Sequence, residues 1–195
     1  MIDLIILCDL DCVTVMFLEE LCYQYNKLYN KNVQPEDITE WDLEPFMGKE
    51  GIEIFKQPNF FATLKPYPYA VETLKNLHQE DFTILIATDH LDNPIIQQGK
   101  QEWLNKYLPF IPQENIHYTN QKHLVFADLI VDDSPKYINT FPGYRVIWDK
   151  PYNRRNVNAD YRIRDNDWID FYWIVHKLKA EKYDDILQFR KIYNN

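Results

Sequence analysis

The sequence predicts an α/β protein in which a parallel sheet lies between two layers of helices. Short apolar runs alternate with longer amphipathic segments along most of the 195-residue chain. Runs without a polar face predict strands buried on both sides, and strands separated by helices predict parallel pairing. The predicted strands, the third shorter and weaker in pattern than the rest, are residues 2–8, 82–87, 116–118, 129–131 and 144–148.

The segments between these strands have the spacing of amphipathic helices. Helices are predicted over 68–79, 94–107 and 135–140, and a helical tail over 167–193 is predicted to pack on the core. Pro94 suits the first turn of its helix, where a missing N–H costs nothing. Alternation of these helices with the strands gives a three-layer α/β/α arrangement of the Rossmann-like type.

Residues 17–66 interrupt this alternation between the first and second strands. The stretch contains an amphipathic segment over 17–29, an irregular part over 30–45 and a second helical piece over 48–57. We therefore expect a small helical insertion at 17–66, with the remaining residues, 1–16 and 67–195, forming the core domain.

The composition of the chain limits the class of protein, the partners and the cellular compartment that we expect. It is 46% hydrophobic and 26% charged, which is typical of a globular domain, and its net charge of -9 disfavours a nucleic-acid polymer or an anionic membrane as partner. The three cysteines, Cys8, Cys12 and Cys22, are odd in number and crowded near the start, so they predict no disulfide framework. With no visible targeting segment, we expect a cytoplasmic protein.

Three of the predicted strands lead into polar side chains that can bind a cation or a phosphate. Because carboxyl ends of parallel strands meet at one edge of the sheet, these side chains should surround one crevice. Clustered carboxylates repel one another unless a cation lies among them, and oxygen ligands without a His or Cys cluster favour Mg²⁺. Metal-dependent phosphoryl chemistry is the natural inference. The residues are Asp9 and Asp11, Thr88 and Asp89, and Asp132 and Asp133.

Each motif taken alone has an ordinary structural explanation. An Asp-x-Asp pair often caps a helix or lines a loop, and Asp132-Asp133-Ser134-Pro135 also suits a helix N-cap before a proline. A single lysine such as Lys122 is most often a surface residue. The functional interpretation depends on the order of these residues and on their position beside buried strands.

The complete set resembles the haloacid dehalogenase superfamily of phosphotransferases. The match covers four motifs, which are a strand followed by 9–13, a strand followed by Thr88, then Lys122, and a strand followed by Asp132-Asp133. Within that superfamily the chain is similar to the 5'(3')-deoxyribonucleotidases over most of its length. That similarity is carried by the stretches at 38–43, 58–61, 64–68, 70–72, 122–125 and 127–133.

The resemblance implies a role for each motif residue. Asp9 would attack phosphorus and form an aspartyl-phosphate, and Asp11 would protonate the leaving nucleoside oxygen and later accept a proton from water. Thr88 would donate a hydrogen bond to a phosphate oxygen, and Lys122 would supply positive charge to the transition state.

The resemblance also implies a Mg²⁺ site and a cap. The ion would be held by the Asp9 side chain and the main-chain carbonyl of Asp11, with Asp133 as a direct ligand and Asp132 second. The insertion at 17–66 would cover the crevice and contact the base. The candidate base contacts are Phe17 and Trp41, followed by Phe60 and Phe61, of which one should point into the core.

Four positions depart from the family pattern. Cys12 replaces a glycine and is interpreted as a small buried residue rather than a nucleophile, because no activating histidine is evident. Asp89 stands where many relatives have a serine beside the phosphate, and an acid there would repel substrate unless it points away. Asn120 replaces a basic residue, and Tyr69 replaces a glycine. These changes leave hydrolysis expected and the preferred nucleotide open.

Three functions follow from the sequence. The first is a Mg²⁺-dependent hydrolase of (deoxy)ribonucleoside monophosphates, and the second is a phosphatase of the same mechanism for another small phosphate ester. The third is a catalytically silent relative that binds nucleotides or a regulatory partner, although Asp9, Asp11 and Lys122 are all present. A receiver domain is disfavoured because its paired acids come early. The expected partner is a small-molecule nucleotide, and a homodimer is compatible with the resemblance.

Overall fold

The computed structural model describes residues 4–193, with side chains described through residue 182. It confirms the α/β class and contains one six-stranded sheet in which every pair of neighbours is parallel. The strands are β1 (Ile5–Cys8), β2 (Thr83–Thr88), β3 (Ile116–Tyr118), β4 (Leu129–Asp132), β5 (Tyr144–Trp148) and β6 (Tyr161–Ile163).

Six α-helices connect or cover these strands in the described part of the chain. They are α1 (Phe17–Tyr29), α2 (Glu44–Phe55), α3 (Ala70–Gln79), α4 (Pro94–Tyr107), α5 (Pro135–Thr140) and α6 (Trp168–Tyr193). Short 3-10 turns lie at Pro35–Asp37, Phe61–Thr63, Gln113–Asn115, Lys122–Leu124 and Pro151–Asn153. None of the helices within residues 4–193 combines the length and apolar character needed to cross a bilayer.

The strand order β3-β2-β1-β4-β5-β6 places β1 at the centre of the sheet. The chain builds outward from β1 to one side through β2 and β3, and then to the other side through β4, β5 and β6. Ile6 on β1 is therefore paired with Ile84 on one flank and Leu129 on the other. In such a sheet the reversal of direction opens a crevice at the carboxyl ends of the central strands.

Burial on both faces explains the continuous apolar runs of the central strands. All four residues of β4 are buried, and in β1 only Ile5 is partly exposed. The start of α6 closes one end of the core through an aromatic cluster, in which the ring centroids of Trp148 and Trp168 lie 4.8 Å apart. The prediction that the tail packs on the core is confirmed for this part of α6.

The predicted element boundaries were close, with three informative differences. Residues 2 and 3 of the predicted first strand lie outside the described residues. The third helix begins at Ala70 rather than at residue 68, because Tyr69 has a φ of 65° and so cannot continue a helix. The second helix of the insertion begins at Glu44 and is kinked at Gly48, where a φ of 61° suits glycine.

The sequence analysis missed β6, a three-residue strand at the edge of the sheet. Its letters Tyr161-Arg162-Ile163 form no apolar run, because an edge strand has one side open to water. The Arg162 guanidinium pairs with Asp149 at 2.6 Å, and Val146 on β5 pairs with Tyr161. Pairing with β5 therefore determines that residues 161–163 form a strand, because their local sequence does not predict one.

Candidate active site

The polar residues predicted to meet at the sheet edge do meet there. Asp9 follows β1 directly, and its backbone N–H donates to the carbonyl of Val131 over 3.0 Å, which holds it beside β4. Thr88 is the last residue of β2 and Asp132 is the last residue of β4. All three residues are buried, at 6% exposure or less.

The turn after β1 is built by hydrogen bonds to its own backbone. The Thr14 hydroxyl donates to the carbonyl of Asp9 over 2.8 Å, and the Val15 N–H donates to the carbonyl of Leu10 over 3.0 Å. Cys12 occupies a left-handed conformation with a φ of 59°, which explains why glycine suits this position. Burial raises the pKa of the Cys12 thiol well above its usual range, which disfavours the thiolate form that a nucleophilic cysteine needs.

Lys122 lies at the centre of the site although it comes from a different part of the chain. Its side chain is 2% exposed, and its ammonium donates to Oδ1 of Asp9 and to Oδ2 of Asp132, each over 2.6 Å. Burial alone would lower the pKa of Lys122, but the Asp132 and Asp9 carboxylates outweigh it and raise the pKa. The lysine is therefore a fixed positive charge.

Three carboxylates form a compact cluster beside this lysine. Ligand oxygens of Asp9, Asp132 and Asp133 all lie within 4.8 Å of one another. Burial raises the pKa of Asp132 to about 7 and raises that of Asp133 as well, and in both cases the Asp9 charge adds to the effect. Buried oxygen ligands that destabilise each other's charge form a donor set suited to a hard divalent cation.

Asp132 and Asp133, the late acidic pair, have different hydrogen-bond partners. Both oxygens of Asp132 accept hydrogen bonds, Oδ2 from Lys122 and Oδ1 from the Ser134 N–H over 2.8 Å. Asp133 accepts from the Tyr152 hydroxyl on Oδ2 only, among the contacts of the described residues. The difference leaves Asp133 with more free oxygen capacity than Asp132.

A second buried lysine, Lys100, was missed by the sequence analysis. It lies on α4 with 1% side-chain exposure, and its ammonium is 2.5 Å from Oδ2 of Asp11. Burial raises the pKa of Asp11, while the Lys100 charge opposes that rise. A signal was present in the sequence, because Lys100 is four residues from both Ile96 and Leu104 on the apolar face of the helix.

A cavity of about 700 Å³ opens in front of these residues. One wall carries Asp9, Asp11, Lys122 and the late acidic pair, and the other is apolar. The apolar lining comes mainly from the insertion, with Leu91 and Ile96 from outside it, and its residues from the insertion are Phe17, Leu18, Trp41, Leu43, Ile52, Phe55 and Phe61.

The candidate base contacts are placed unequally. Phe17 and Phe61 are stacked with an interplanar angle of 17° and both line the cavity, as does Trp41, which is 59% exposed. Phe60 is 3% exposed, packs edge-on against Phe17 and is not among the cavity-lining residues. Phe61, at 4% exposure, belongs to the same hydrophobic core, so both residues of the pair are buried and they differ in that Phe61 reaches the cavity.

Asp89 also lines the cavity but is engaged by its own loop. Its Oδ1 accepts from the Leu91 N–H over 2.8 Å, and its carbonyl accepts from Lys100 over 2.5 Å. The aspartate thus shapes the turn after β2, and one of its oxygens is committed to that turn.

The parallel-sheet fold of the protein is shared with solved structures of haloacid dehalogenase-like hydrolases. A haloacid dehalogenase-like family hydrolase of Xanthomonas campestris superimposes with a TM-score of 0.53 at 14% identity, covering 92% of this chain and 97% of that one. A hydrolase of the same fold family from Deinococcus radiodurans gives a TM-score of 0.54 at 12% identity, covering 84% and 92% of the two chains.

Within that class, the chain belongs to the family described as 5' nucleotidase, deoxy (pyrimidine), cytosolic type C protein, whose model matches residues 3–183. A 5'(3')-deoxyribonucleotidase of Clostridium acetobutylicum is 29% identical over 175 residues, which is 88% of this chain and 94% of the relative. A 5'(3')-deoxyribonucleotidase of Bacillus subtilis is 26% identical over 163 residues, covering 82% and 92%.

Proposed function

We propose that the protein is a Mg²⁺-dependent nucleotidase that hydrolyses (deoxy)ribonucleoside monophosphates to nucleoside and phosphate. The observation that carries this proposal is the meeting of Asp9, Lys122 and the late acidic pair in a cavity that is also lined by apolar and aromatic side chains. Family membership supports the same chemistry.

Asp9 is the proposed nucleophile. Its carboxylate attacks phosphorus, the P–O bond to the nucleoside breaks, and an aspartyl-phosphate forms, which splits the hydrolysis into two displacements. The ammonium of Lys122, 2.6 Å from Oδ1 of Asp9, orients the nucleophile and adds positive charge where the phosphoryl oxygens must lie. Thr88, at the end of β2, is the proposed hydrogen-bond donor to a phosphate oxygen.

Asp11 is the proposed general acid and base. It gives a proton to the nucleoside oxygen as that oxygen leaves, and it takes a proton from the water that then attacks the aspartyl-phosphate. Burial, which raises the pKa of its carboxyl group, favours the protonated form needed for the first step.

The acidic cluster fits a divalent cation, and Mg²⁺ is the proposed ion. Asp9, Asp133 and the main-chain carbonyl of Asp11 would hold it, with Asp132 second because Lys122 and Ser134 already occupy its oxygens. When bound, the ion supplies positive charge to the phosphate oxygens.

We further propose that 17–66 acts as a cap on a core made of 1–16 and 67–195. Its aromatic side chains Phe17, Trp41 and Phe61 supply flat apolar surface on which a nucleobase can stack. The carboxylate of Asp89 lines the cavity and would repel the substrate phosphate. The hydrogen bond that its Oδ1 accepts from the Leu91 N–H reduces this repulsion but does not remove it. A cytoplasmic location and a homodimer stay predictions from the sequence.

A second candidate is a phosphatase of the same mechanism for another small phosphate ester. The acidic side chain of Asp89 in the cavity favours it, because a serine at this position is common in deoxyribonucleotidases that resemble the chain. A catalytically silent relative is disfavoured by the intact contact between Lys122 and Asp9.

A substrate panel tests the proposed function. Phosphate release is measured from deoxyribonucleoside and ribonucleoside 5'- and 3'-monophosphates and from sugar phosphates, with and without Mg²⁺. The nucleotidase proposal expects a higher kcat/KM for nucleotides than for sugar phosphates. Equal rates on all esters would favour the second candidate, and no release from any ester would contradict both.

A further inference from the structure

Lys100 is a buried charge that the proposed mechanism does not use. Its side chain is 1% exposed, and it reaches the site from α4, far in sequence from Asp9 and Lys122. A lysine is rarely buried this deeply without a partner for each of its donors. Its contacts therefore indicate what it does.

The three N–H groups of the Lys100 ammonium have three acceptors. They are Oδ2 of Asp11 at 2.5 Å, Oγ1 of Thr88 at 2.8 Å and the carbonyl oxygen of Asp89 at 2.5 Å. An ammonium has three donors and no acceptor, so this arrangement uses all of them. Lys100 thus differs from Lys122 in having no N–H left for a phosphate oxygen.

The contact between Lys100 and Asp11 makes the two carboxyl oxygens of Asp11 inequivalent. Oδ2 is held by Lys100, whereas Oδ1 is buried and has no hydrogen-bond partner among the described residues. Asp11 also lines the cavity. An oxygen that carries no proton accepts a hydrogen bond whether or not the other oxygen is protonated, so Lys100 can hold Oδ2 throughout a proton transfer at Oδ1.

The contact with Thr88 has a related effect. A hydroxyl has one donor and two acceptor positions, and Lys100 occupies one of the acceptor positions. The hydroxyl proton of Thr88 must then point away from the ammonium. One lysine therefore orients two groups that the proposed mechanism places against the substrate.

Close packing of α4 holds Lys100 in this position. A Cβ at Gly99 would approach Cβ of Phe61 to 3.1 Å, so glycine lets the helix lie against the 3-10 turn at Phe61–Thr63. The Lys100 ammonium then lies 4.7 Å from the ring centroid of Phe61, within the range of a cation–π contact.

From these contacts we infer that Lys100 is a positioning residue, which holds Oδ2 of Asp11 and the hydroxyl of Thr88 and leaves Oδ1 of Asp11 to carry the proton. In the first step Oδ1 gives its proton to the nucleoside oxygen while the P–O bond to that oxygen breaks and the bond from Asp9 to phosphorus forms. In the second step Oδ1 accepts a proton from water as the water oxygen attacks phosphorus and the aspartyl bond breaks. This inference rests on the proposed function.

The dependence on the leaving group tests this role. A nucleoside needs a proton to leave, whereas dinitrophenolate leaves without one, so kcat/KM is compared for the best nucleotide of the panel and for dinitrophenyl phosphate. Lys100→Met should lower kcat/KM for the nucleotide by roughly 10²-fold, the size typical of general acid catalysis. The loss on dinitrophenyl phosphate should be less than about tenfold, because only the Thr88 contact matters there.

Four variants accompany this one. Asp11→Asn should show the same dependence on the leaving group. The double variant should be worse than Asp11→Asn only by the factor that Lys100→Met loses on dinitrophenyl phosphate, since the rest of its effect passes through Asp11. Lys106→Met, at an exposed lysine on the same helix, removes the same charge and should leave both kcat/KM values unchanged. Lys100→Gln, which keeps a donor, should fall between wild type and Lys100→Met.

The outcomes separate the inference from the proposed function. Equal losses on both substrates, or a double variant that falls below Asp11→Asn on the nucleotide by the full, roughly 10²-fold factor of Lys100→Met, would show that Lys100 does not act through Asp11. Failure of both Lys100→Met and Lys100→Gln to fold, monitored by circular dichroism, would assign Lys100 a purely structural role. A wild-type protein inactive on both substrates would instead overturn the proposed function.

Discussion

The ammonium of Lys122 donates a hydrogen bond to Oδ1 of Asp9 over 2.6 Å, although 113 residues separate them in the chain. The same nitrogen lies 2.6 Å from Oδ2 of Asp132, so one buried cation holds the acids that follow β1 and end β4. Removing either acid would leave Lys122 with one carboxylate, and removing the lysine would leave two buried acids without their counter-charge.

Asp9→Asn should abolish turnover while leaving the fold intact. The amide is nearly the same shape as the carboxylate, and its oxygen can still accept from Lys122, but it is a poor nucleophile. Phosphate release and the circular dichroism spectrum of the variant check both parts. A well-folded variant with substantial activity would contradict covalent catalysis by Asp9.

Removal of divalent cation should stop activity, and Mg²⁺ should restore it better than Ca²⁺. Mg²⁺ demands a compact octahedral shell, whereas Ca²⁺ takes a larger and looser one that suits in-line transfer poorly. Binding should also be visible without substrate, because an ion that binds only the folded chain raises the melting temperature.

The variant Asp133→Asn tests the metal prediction at a single proposed ligand. This variant should lose most of the Mg²⁺-dependent rise in melting temperature, because Asp133 is the proposed direct ligand with free oxygen capacity. Full activity of the wild type in excess chelator, or an unchanged thermal shift in the variant, would contradict the proposed metal site.

Trp41→Ala should weaken nucleotide hydrolysis by about 1–3 kcal/mol in kcat/KM, the size of one lost stacking contact. Trp41 is 59% exposed and lines the cavity, so its truncation should cost little in folding stability. A sugar phosphate, which has no base, is the control substrate and should be hydrolysed as by wild type. Equal losses on both substrates would make Trp41 a packing residue and leave base recognition to Phe17.

Asn153→Ala should destabilise the fold by at least about 2 kcal/mol, since buried groups left unpaired cost about 1–3 kcal/mol each. Asn153 is fully buried, and its Nδ2 donates to the carbonyls of Asp133 at 2.8 Å and Trp148 at 2.7 Å. The variant should also lose Mg²⁺ affinity because it releases the backbone of Asp133.

Denaturant unfolding and Mg²⁺ titration measure the two effects of Asn153→Ala. Asn158→Ala, at an exposed asparagine nearby, is the control and should stay within about 0.5 kcal/mol of wild type. A variant at position 153 that is as stable as this control would show that the network around Asp133 is not needed for folding.

The strands of the sheet and the helices between them could be predicted from the sequence because each depends on residues that are close together in the chain. Five strands and the helices between them follow from apolar runs and helical spacing, and β5, α4 and α5 match their predicted bounds. The meeting of the acids that follow β1 and end β4 could also be predicted, because a parallel sheet brings the carboxyl ends of its strands to one edge whatever the details of packing.

The sequence by itself determined the α/β class and the acids that meet at the sheet edge, because apolar runs, helical spacing and the acids that follow the strands are local features of the chain. Only the tertiary structure decided which partners those residues have. Lys100 reaches Asp11, Tyr152 reaches Asp133, and β6 exists as a partner of β5. These contacts join segments distant in the chain, and no local pattern of residues specifies such distances.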